Sequence, residues 1–213
     1  MIVKQTSYSP GVVILAAGRS SRMGQPKLLL PWGKTSILGH LIGQWTLLGA
    51  KQIAVVRSSD DEALNAELNR LNFPERSRIV NPLPERGMFS SIQCAAGWRG
   101  WEPILTHWAI VLGDQPHLSL ETLRTIIDFS AANPDKVCQP RKHGHRYHPV
   151  VLPKKVFEQI RSSTAANLKE FLASCETAYC QMADSGLELD IDRPEDYQKA
   201  LEMWKGTAGR RGR

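Results

Sequence analysis

The chain has 213 residues, 42% hydrophobic and 23% charged, an ordinary balance for a globular protein that argues against disordered and fibrous classes. No apolar run approaches the roughly 18 residues of a membrane span, and MIVKQTSYSP at the start lacks an apolar signal core, so a cytoplasmic location is expected. The net charge of +6 is concentrated at one end. Lys205, Arg210, Arg211 and Arg213 fall within the last residues and leave the body nearly balanced, so neither nucleic acid nor a membrane surface is expected as a partner.

The first predicted element is a buried strand over 12–15, a short apolar run that opens the stretch VVILAAGRSSRMGQPKLLLPWGK. It breaks into Ala16, Ala17 and Gly18, where the chain can turn tightly and no bulky side chain keeps a ligand off the backbone. Arg19, Arg22, Lys27 and Lys34 follow with no acidic residue among them, so amide groups and cations can surround a polyphosphate. An ordinary strand-to-helix loop with solvated charges is the competing reading. The P-loop spacing ending at Gly33, Lys34 and Thr35 fails because Leu28 stands where glycine is needed. The dinucleotide fingerprint from Gly18 fails at Ser20.

These residues resemble the nucleotide-binding signature of the MobA-like nucleotidyltransferases, L-A-x-G-x-S-x-R-M-G-x-x-K. Its fixed positions are met by Leu15, Ala16, Gly18, Ser20, Arg22, Met23, Gly24 and Lys27. Within that family, Ala16-Ala17-Gly18 followed by LLLPWG resembles the molybdenum cofactor cytidylyltransferase branch; the guanylyltransferase branch usually has glycine at the place of Ala17. The resemblance implies a Rossmann-like three-layer α/β/α fold with a mostly parallel central sheet. It also implies a nucleotide site including Leu15, Ala16, Ala17, Gly18, Ser20, Arg22 and Lys27.

Further along, Thr35 or Ser36 is placed to cap a helix carrying Ile37, Leu38, Leu41, Ile42, Trp45 and Leu48 and ending at Gly49. A strand over 53–56, an amphipathic helix over 60–71 and a strand over 78–80 complete a β-α-β-α-β order. That order requires parallel pairing, with ligands at the carboxyl ends of the strands. Prolines and a glycine in NPLPERGMFSSI hold off the next helix until about Met88. The resemblance places Gly87, Met88, Ser90, Ser91 and Ile92 against the nucleotide base; a plain helix start is the alternative.

A strand over 107–112 runs into Gly113-Asp114-Gln115-Pro116, which puts the Asp114 carboxylate at the edge of the sheet beside the phosphate loop. Hard oxygen ligands there suit Mg²⁺, and G-D-Q-P resembles the family's metal-binding element. After a helix over 118–130 capped by Ser119, residues 137–151 carry three histidines and three basic residues. His143, His145 and His148 invite a zinc reading, but His143 and His145 flank Gly144 in a turn, which favours a hairpin with a cationic face for a phosphorylated substrate. His148 and Pro149 match the end of the family's G-H-P, while Tyr147 replaces its glycine; Arg146, Tyr147 and His148 are the expected acceptor-binding residues. Helices are predicted over 154–160 and 164–174. Ser162 to Asn167 stands where cytidylyltransferases often carry a G-D-x-G-A-R-like segment.

A late strand over 178–182 precedes LDIDRPEDY, which resembles the family's D-I-D-T-P-E-D-Y. Alternation would project Asp190 and Asp192 to one side of a strand, and Pro194 with Glu195 and Asp196 would start a terminal helix. Asp192 is the candidate second metal carboxylate opposite Asp114, and an acid cluster at a helix start is the bland alternative. Cys94, Cys138, Cys175 and Cys180 show no zinc spacing and read as reduced thiols. One domain over 1–204 and a disordered basic tail over 205–213 are expected.

The implied function is Mg²⁺-dependent transfer of CMP from CTP to a molybdopterin-type cofactor with release of pyrophosphate. Arg22, Lys27 and Asp114 would be catalytic, and a client molybdoenzyme would receive the product. The alternatives are another nucleotide such as GTP, another phosphorylated acceptor such as a sugar phosphate, or a noncatalytic protein that hands cofactor to a molybdoenzyme.

Overall fold

The structure, a computed structural model, describes residues 8–18 and 22–208; Arg19, Ser20 and residues 209–213 lie outside them. Strand β1 (Pro10–Leu15) has Val12, Val13 and Ile14 completely buried, because both of its faces are covered. A small hairpin of β2 (Pro31–Trp32) and β3 (Thr35–Ser36) turns at Gly33, whose φ of 61° suits glycine. It leads into α1 (Ile37–Leu47), where Ser36 is the cap: its Oγ accepts from Gly39 N at 3.0 Å. Strand β4 (Gln52–Ser58), helix α2 (Glu62–Arg70) and strand β5 (Arg78–Asn81) follow, and β1, β4 and β5 pair in parallel as the crossover lengths require.

Helix α3 (Met88–Gly97) returns to strand β6 (His107–Leu112), which pairs in parallel with the other side of β1. After α4 (Leu120–Ala132), strand β7 (Val137–Lys142) and strand β8 (His145–Arg146) form the expected hairpin. Its turn holds His143 at φ 48° and Gly144 at φ 84°. Strand β9 (Val150–Pro153) runs antiparallel between β6 and β7, an insertion that the apolar pattern alone could not orient. Helices α5 (Lys154–Ile160) and α6 (Leu168–Leu172), strand β10 (Thr177–Gln181) and the terminal helix α7 (Pro194–Ala208) complete the chain. The main sheet runs β10-β7-β9-β6-β1-β4-β5, with β8 on β7. Two apolar cores lie on its opposite faces, one around Ile14, Trp45 and Val151 beneath α1 and α4, the other around Val13, Ile92 and Phe157 beneath α3 and α5. This is the mixed α/β architecture with a mostly parallel sheet that the element order predicts.

Three expectations need correction. Helix α6 begins at Leu168 rather than at 164, because Asn167 caps it through Oδ1, accepting from Glu170 N at 2.9 Å. Helix α7 continues to Ala208, so residues 205–208 are helical rather than part of a tail. The strand expected around Asp190 and Asp192 does not form. A 3-10 turn at Ser185–Glu188 and the helix starting at Pro194 leave too little chain between them for a ladder. Among the described residues no helix is long and apolar enough to cross a membrane.

Candidate active site

The carboxyl ends of β1, β6 and β4 converge with the start of α3, and most of the nucleotide residues predicted from sequence gather there, whereas Arg22 lines neither of the hollows at this edge. A cavity of about 280 Å³ is lined by Leu15, Ala16, Ala17, Gly18, Lys27, Gly87, Met88, Ser91 and Asp114, with Leu28 and Pro84 added by the structure. A second hollow of about 220 Å³ shares Ala16, Ala17, Gly18, Lys27 and Leu28 and extends toward Ser58 and Asp60. Close approach is built into the floor. A Cβ on Gly113 would stand 2.7 Å from Leu28 Cδ2 and 3.1 Å from Leu15 O.

Lys27 is positioned from below by its neighbours. Met23, Leu28 and Leu30 are buried in the core, so the loop is anchored on both sides of the lysine, and Lys27–Leu29 forms a 3-10 turn. Lys27 Nζ donates to Asp114 Oδ2 at 2.8 Å and to Ile191 O at 3.0 Å, and lies 3.5 Å from Asp192 Oδ1. Arg22 Nη1 pairs with the other oxygen of Asp192. One ammonium therefore joins the two carboxylates that sequence singles out as metal ligands.

The second carboxylate arrives through the main chain. Ile191 N donates to Asp114 O at 3.0 Å, and Ile191 is fully buried, which leaves the flanking residues Asp190 and Asp192 at the site. They are not equivalent. Asp192 faces Lys27 and Arg22, whereas Asp190 Oδ1 accepts from the buried Gln115 Nε2 at 2.8 Å. Partial burial, reinforced by the charges of Asp114 and Asp192, pushes the Asp190 pKa up from the usual carboxylate value.

The residues present fit a Mg²⁺ ion. The buried Asp114 Oδ1 finds no hydrogen-bond partner, and Asp114 and Asp192 already converge on one positive centre. Among the described residues there is no cluster of three or more His, Cys, Asp or Glu side chains able to hold a metal, including around His143, His145 and His148. A magnesium site completed by substrate phosphates needs only one or two carboxylates.

The serines at the start of α3 divide their work. Ser90 Oγ donates to Gly87 O at 2.8 Å and is buried, so its hydroxyl is committed to the backbone. Ser91 lines the cavity, and its Oγ accepts from Asn81 Nδ2 at 2.9 Å, which leaves the hydroxyl hydrogen free to turn toward a ligand. Asn81, buried at the end of β5, also donates to Ser90 Oγ at 2.8 Å and accepts from Leu83 N at 2.9 Å. Sequence reasoning passed over Asn81 and Gln115. A polar residue closing a buried strand, directly before a proline-rich loop, was the available signal for Asn81.

The expected acceptor residues stand apart from the cavity. Arg146 is exposed on β8, and Tyr147 packs against the core on the α1 and α4 side, its N–H donating to Pro140 O at 3.0 Å. His148 donates from Nδ1 to Ile110 O at 3.3 Å, and burial pushes its pKa down against the opposing influence of Asp114. Ser20 lies outside the described residues.

The description "MobA-like NTP transferase domain" matches residues 12–179, most of the sheet and every element of the cavity. The chain belongs to the MobA-like NTP transferase family, and is accordingly a nucleotidyltransferase. It is 29% identical over 193 residues to the molybdenum cofactor cytidylyltransferase of Escherichia coli K12, a match spanning 90% of this chain and 95% of that one. A probable molybdenum cofactor guanylyltransferase of Carboxydothermus hydrogenoformans is 40% identical over 69 residues, 32% of this chain and 35% of that one. The crystal structure of Rv0371c from Mycobacterium tuberculosis H37Rv superposes with a TM-score of 0.72 at 25% identity, covering 92% of this chain and 99% of that one.

Proposed function

We propose that this MobA-like transferase moves CMP from CTP onto the phosphate of a molybdopterin-type cofactor and releases pyrophosphate. The observation that carries the reading is the convergence of Lys27 on Asp114 and Asp192 at the floor of a cavity walled by Ala16, Ala17, Gly18 and Ser91. The near full-length similarity to a cytidylyltransferase supports the choice of base and acceptor. Ala17, whose methyl takes room at the cavity wall that glycine would leave open, points the same way.

Two anions must meet in this reaction, and the residues answer that problem. Lys27 and Arg22 neutralise the triphosphate, and Arg22 would stabilise the charge that grows on the leaving pyrophosphate. Asp114 and Asp192 would hold Mg²⁺, which supplies charge neutralisation across the phosphates when bound. Gly87, Met88 and Ser91 border the base, with Asn81 fixing the serine. Arg146 and His148 would meet the acceptor. A phosphate acceptor is already ionised at neutral pH, so no general base is required of the chain.

The local similarity to a guanylyltransferase favours GTP as the second reading. Pyrophosphate release is measured from CTP, GTP, ATP and UTP with Mg²⁺ and molybdopterin cofactor, beside Asp114→Ala. CTP-selective, cofactor-dependent release that disappears in the variant is the expected result; GTP-selective release overturns the choice of base, and release independent of cofactor overturns the acceptor.

A further inference from the structure

Arg141 on β7 and Arg146 on β8 are directly paired across the hairpin, so their side chains leave the sheet on the same face. Both guanidiniums lie over the ring of Tyr179 on β10, with Cζ atoms 5.1 and 5.3 Å from its centroid. Tyr179 stands opposite Gln139, two residues before Arg141, which places all three side chains in one row. Among the described residues neither arginine makes an ion pair, although the neighbouring Lys142 and His143 share Glu188 and Lys136 has Glu176. Like charges directly opposite each other destabilise a strand pair. Stacking on one ring holds the two cations together without neutralising them.

The position of this pair is as specific as its chemistry. Strand β7 is parallel to β6, so Arg141 lies at the same carboxyl edge as Asp114, two strand spacings away across β9, roughly 10 Å. The alternation along β7 places Arg141 on the face of Val137, which belongs to the core beneath α3, the face on which α3 borders the nucleotide cavity. The cavity extends from Asp114 toward β1 and β5, and the arginines lie on the opposite side, toward β10.

We infer that Arg141 and Arg146, aligned on Tyr179, bind an oxyanion, and that this oxyanion is a second anionic centre of the acceptor, separate from the phosphate that attacks. The inference deepens the proposed function and rests on it for the word acceptor, but the anion site itself does not depend on which nucleotide is used. Two guanidiniums side by side present more donors than one oxyanion needs, and their fork geometry suits phosphate and similar groups. Tyr179 is a positioning residue: its ring carries both guanidiniums and meets no ligand itself.

The test has two arms, both on the full chain. In the first, binding of inorganic phosphate is followed by broadening of its ³¹P resonance in Lys27→Ala, which disables the nucleotide side, and in Lys27→Ala carrying R141Q and R146Q. Phosphate broadening that survives Lys27→Ala and vanishes with the arginines is expected; broadening indifferent to the arginines overturns the site, whether or not CTP proves to be the substrate. In the second, steady-state kinetics are measured with the cofactor acceptor. Each Arg→Gln is expected to raise the acceptor KM about tenfold or more, with Arg→Lys recovering part of the loss and the CTP KM unmoved. A rise in the CTP KM instead assigns the anion to the nucleotide and overturns the acceptor assignment. Thermal unfolding separates a structural role, since removing one of two like charges should leave Tm unchanged or raised. A lowered Tm as the sole effect of both substitutions overturns the proposal.

Discussion

Lys27 Nζ lies 2.8 Å from Asp114 Oδ2, and this contact ties the loop after the first strand to the turn after the sixth. Removing the ammonium leaves Asp114 with no partner on either oxygen, since Oδ1 is already without one. Lys27→Ala should lower stability by about 1–3 kcal/mol and weaken CTP binding by tenfold or more, read by urea unfolding and nucleotide titration. CTP affinity within twofold of the unaltered chain would remove Lys27 from the phosphate site.

Asn81 and the two serines should separate by assay. Ser90→Ala breaks bonds to the backbone and should reduce stability by about 1 kcal/mol with little change in nucleotide KM. Ser91→Ala should raise nucleotide KM several-fold with less effect on stability. Asn81→Ala leaves Leu83 N–H without its acceptor and removes the amide donor to both serines, so both quantities should move. Equal effects of Ser90→Ala and Ser91→Ala on KM would contradict the division of roles.

Gly113→Ala tests the closeness of the two walls. The added methyl meets Leu28 and the carbonyl of Leu15, and the latter belongs to a strand that has no room to retreat. A loss of about 1–3 kcal/mol is expected from overpacking, together with weaker nucleotide binding, in denaturation and titration experiments. An unchanged unfolding midpoint would show that the turn can shift freely.

Acid should destabilise the fold well above the carboxylate range. His107 and His117 are buried, and His40 and His148 partly so; burial pushes all four pKa values down. A histidine that stays neutral in the fold but protonates when unfolded contributes stability above its unfolded pKa of about 6.5, and that contribution falls away as pH drops below it. For His107 and His117 the slope has an upper bound of about 1.4 kcal/mol per pH unit each. The raised pKa of Asp190 acts with the opposite sign at more acidic pH, its share of stability being lost as pH rises through the folded value. Denaturant unfolding at pH 7.5, 6.5 and 5.5 should show the decline, and His107→Gln or His117→Gln should flatten it. A level profile refutes the reading.

The parts of this protein that sequence made readable are those written in neighbouring residues. The apolar run ending in Ala16-Ala17-Gly18, the caps at Ser36 and Ser119 and the aspartate after β6 are local statements, and each sits where its pattern implies. The antiparallel entry of β9 was not readable, because a four-residue buried run has no direction of its own. The part played by Asp190 beside Asp192 was not readable for a similar reason. Their assignment depends on Gln115 and Lys27, far away in the chain, and the strand alternation used to place them needs a ladder that does not exist. Asn81 escaped because its partners lie across a loop whose path the prolines constrain but do not specify.

The bond from Ile191 N to Asp114 O joins the turn after β6 to the segment just before α7, two parts of the chain made at different times. Ribosomes deliver Asp114 long before Asp192, so a growing chain can assemble the nucleotide cavity while still lacking its second carboxylate. On the proposed mechanism, transfer from a triphosphate requires nearly the whole chain. Conversely, a protease that trims the protein back past Asp192 takes away the carboxylate that pairs with Arg22 and leaves Lys27 with Asp114 alone, although every residue of β1 to β10 is retained.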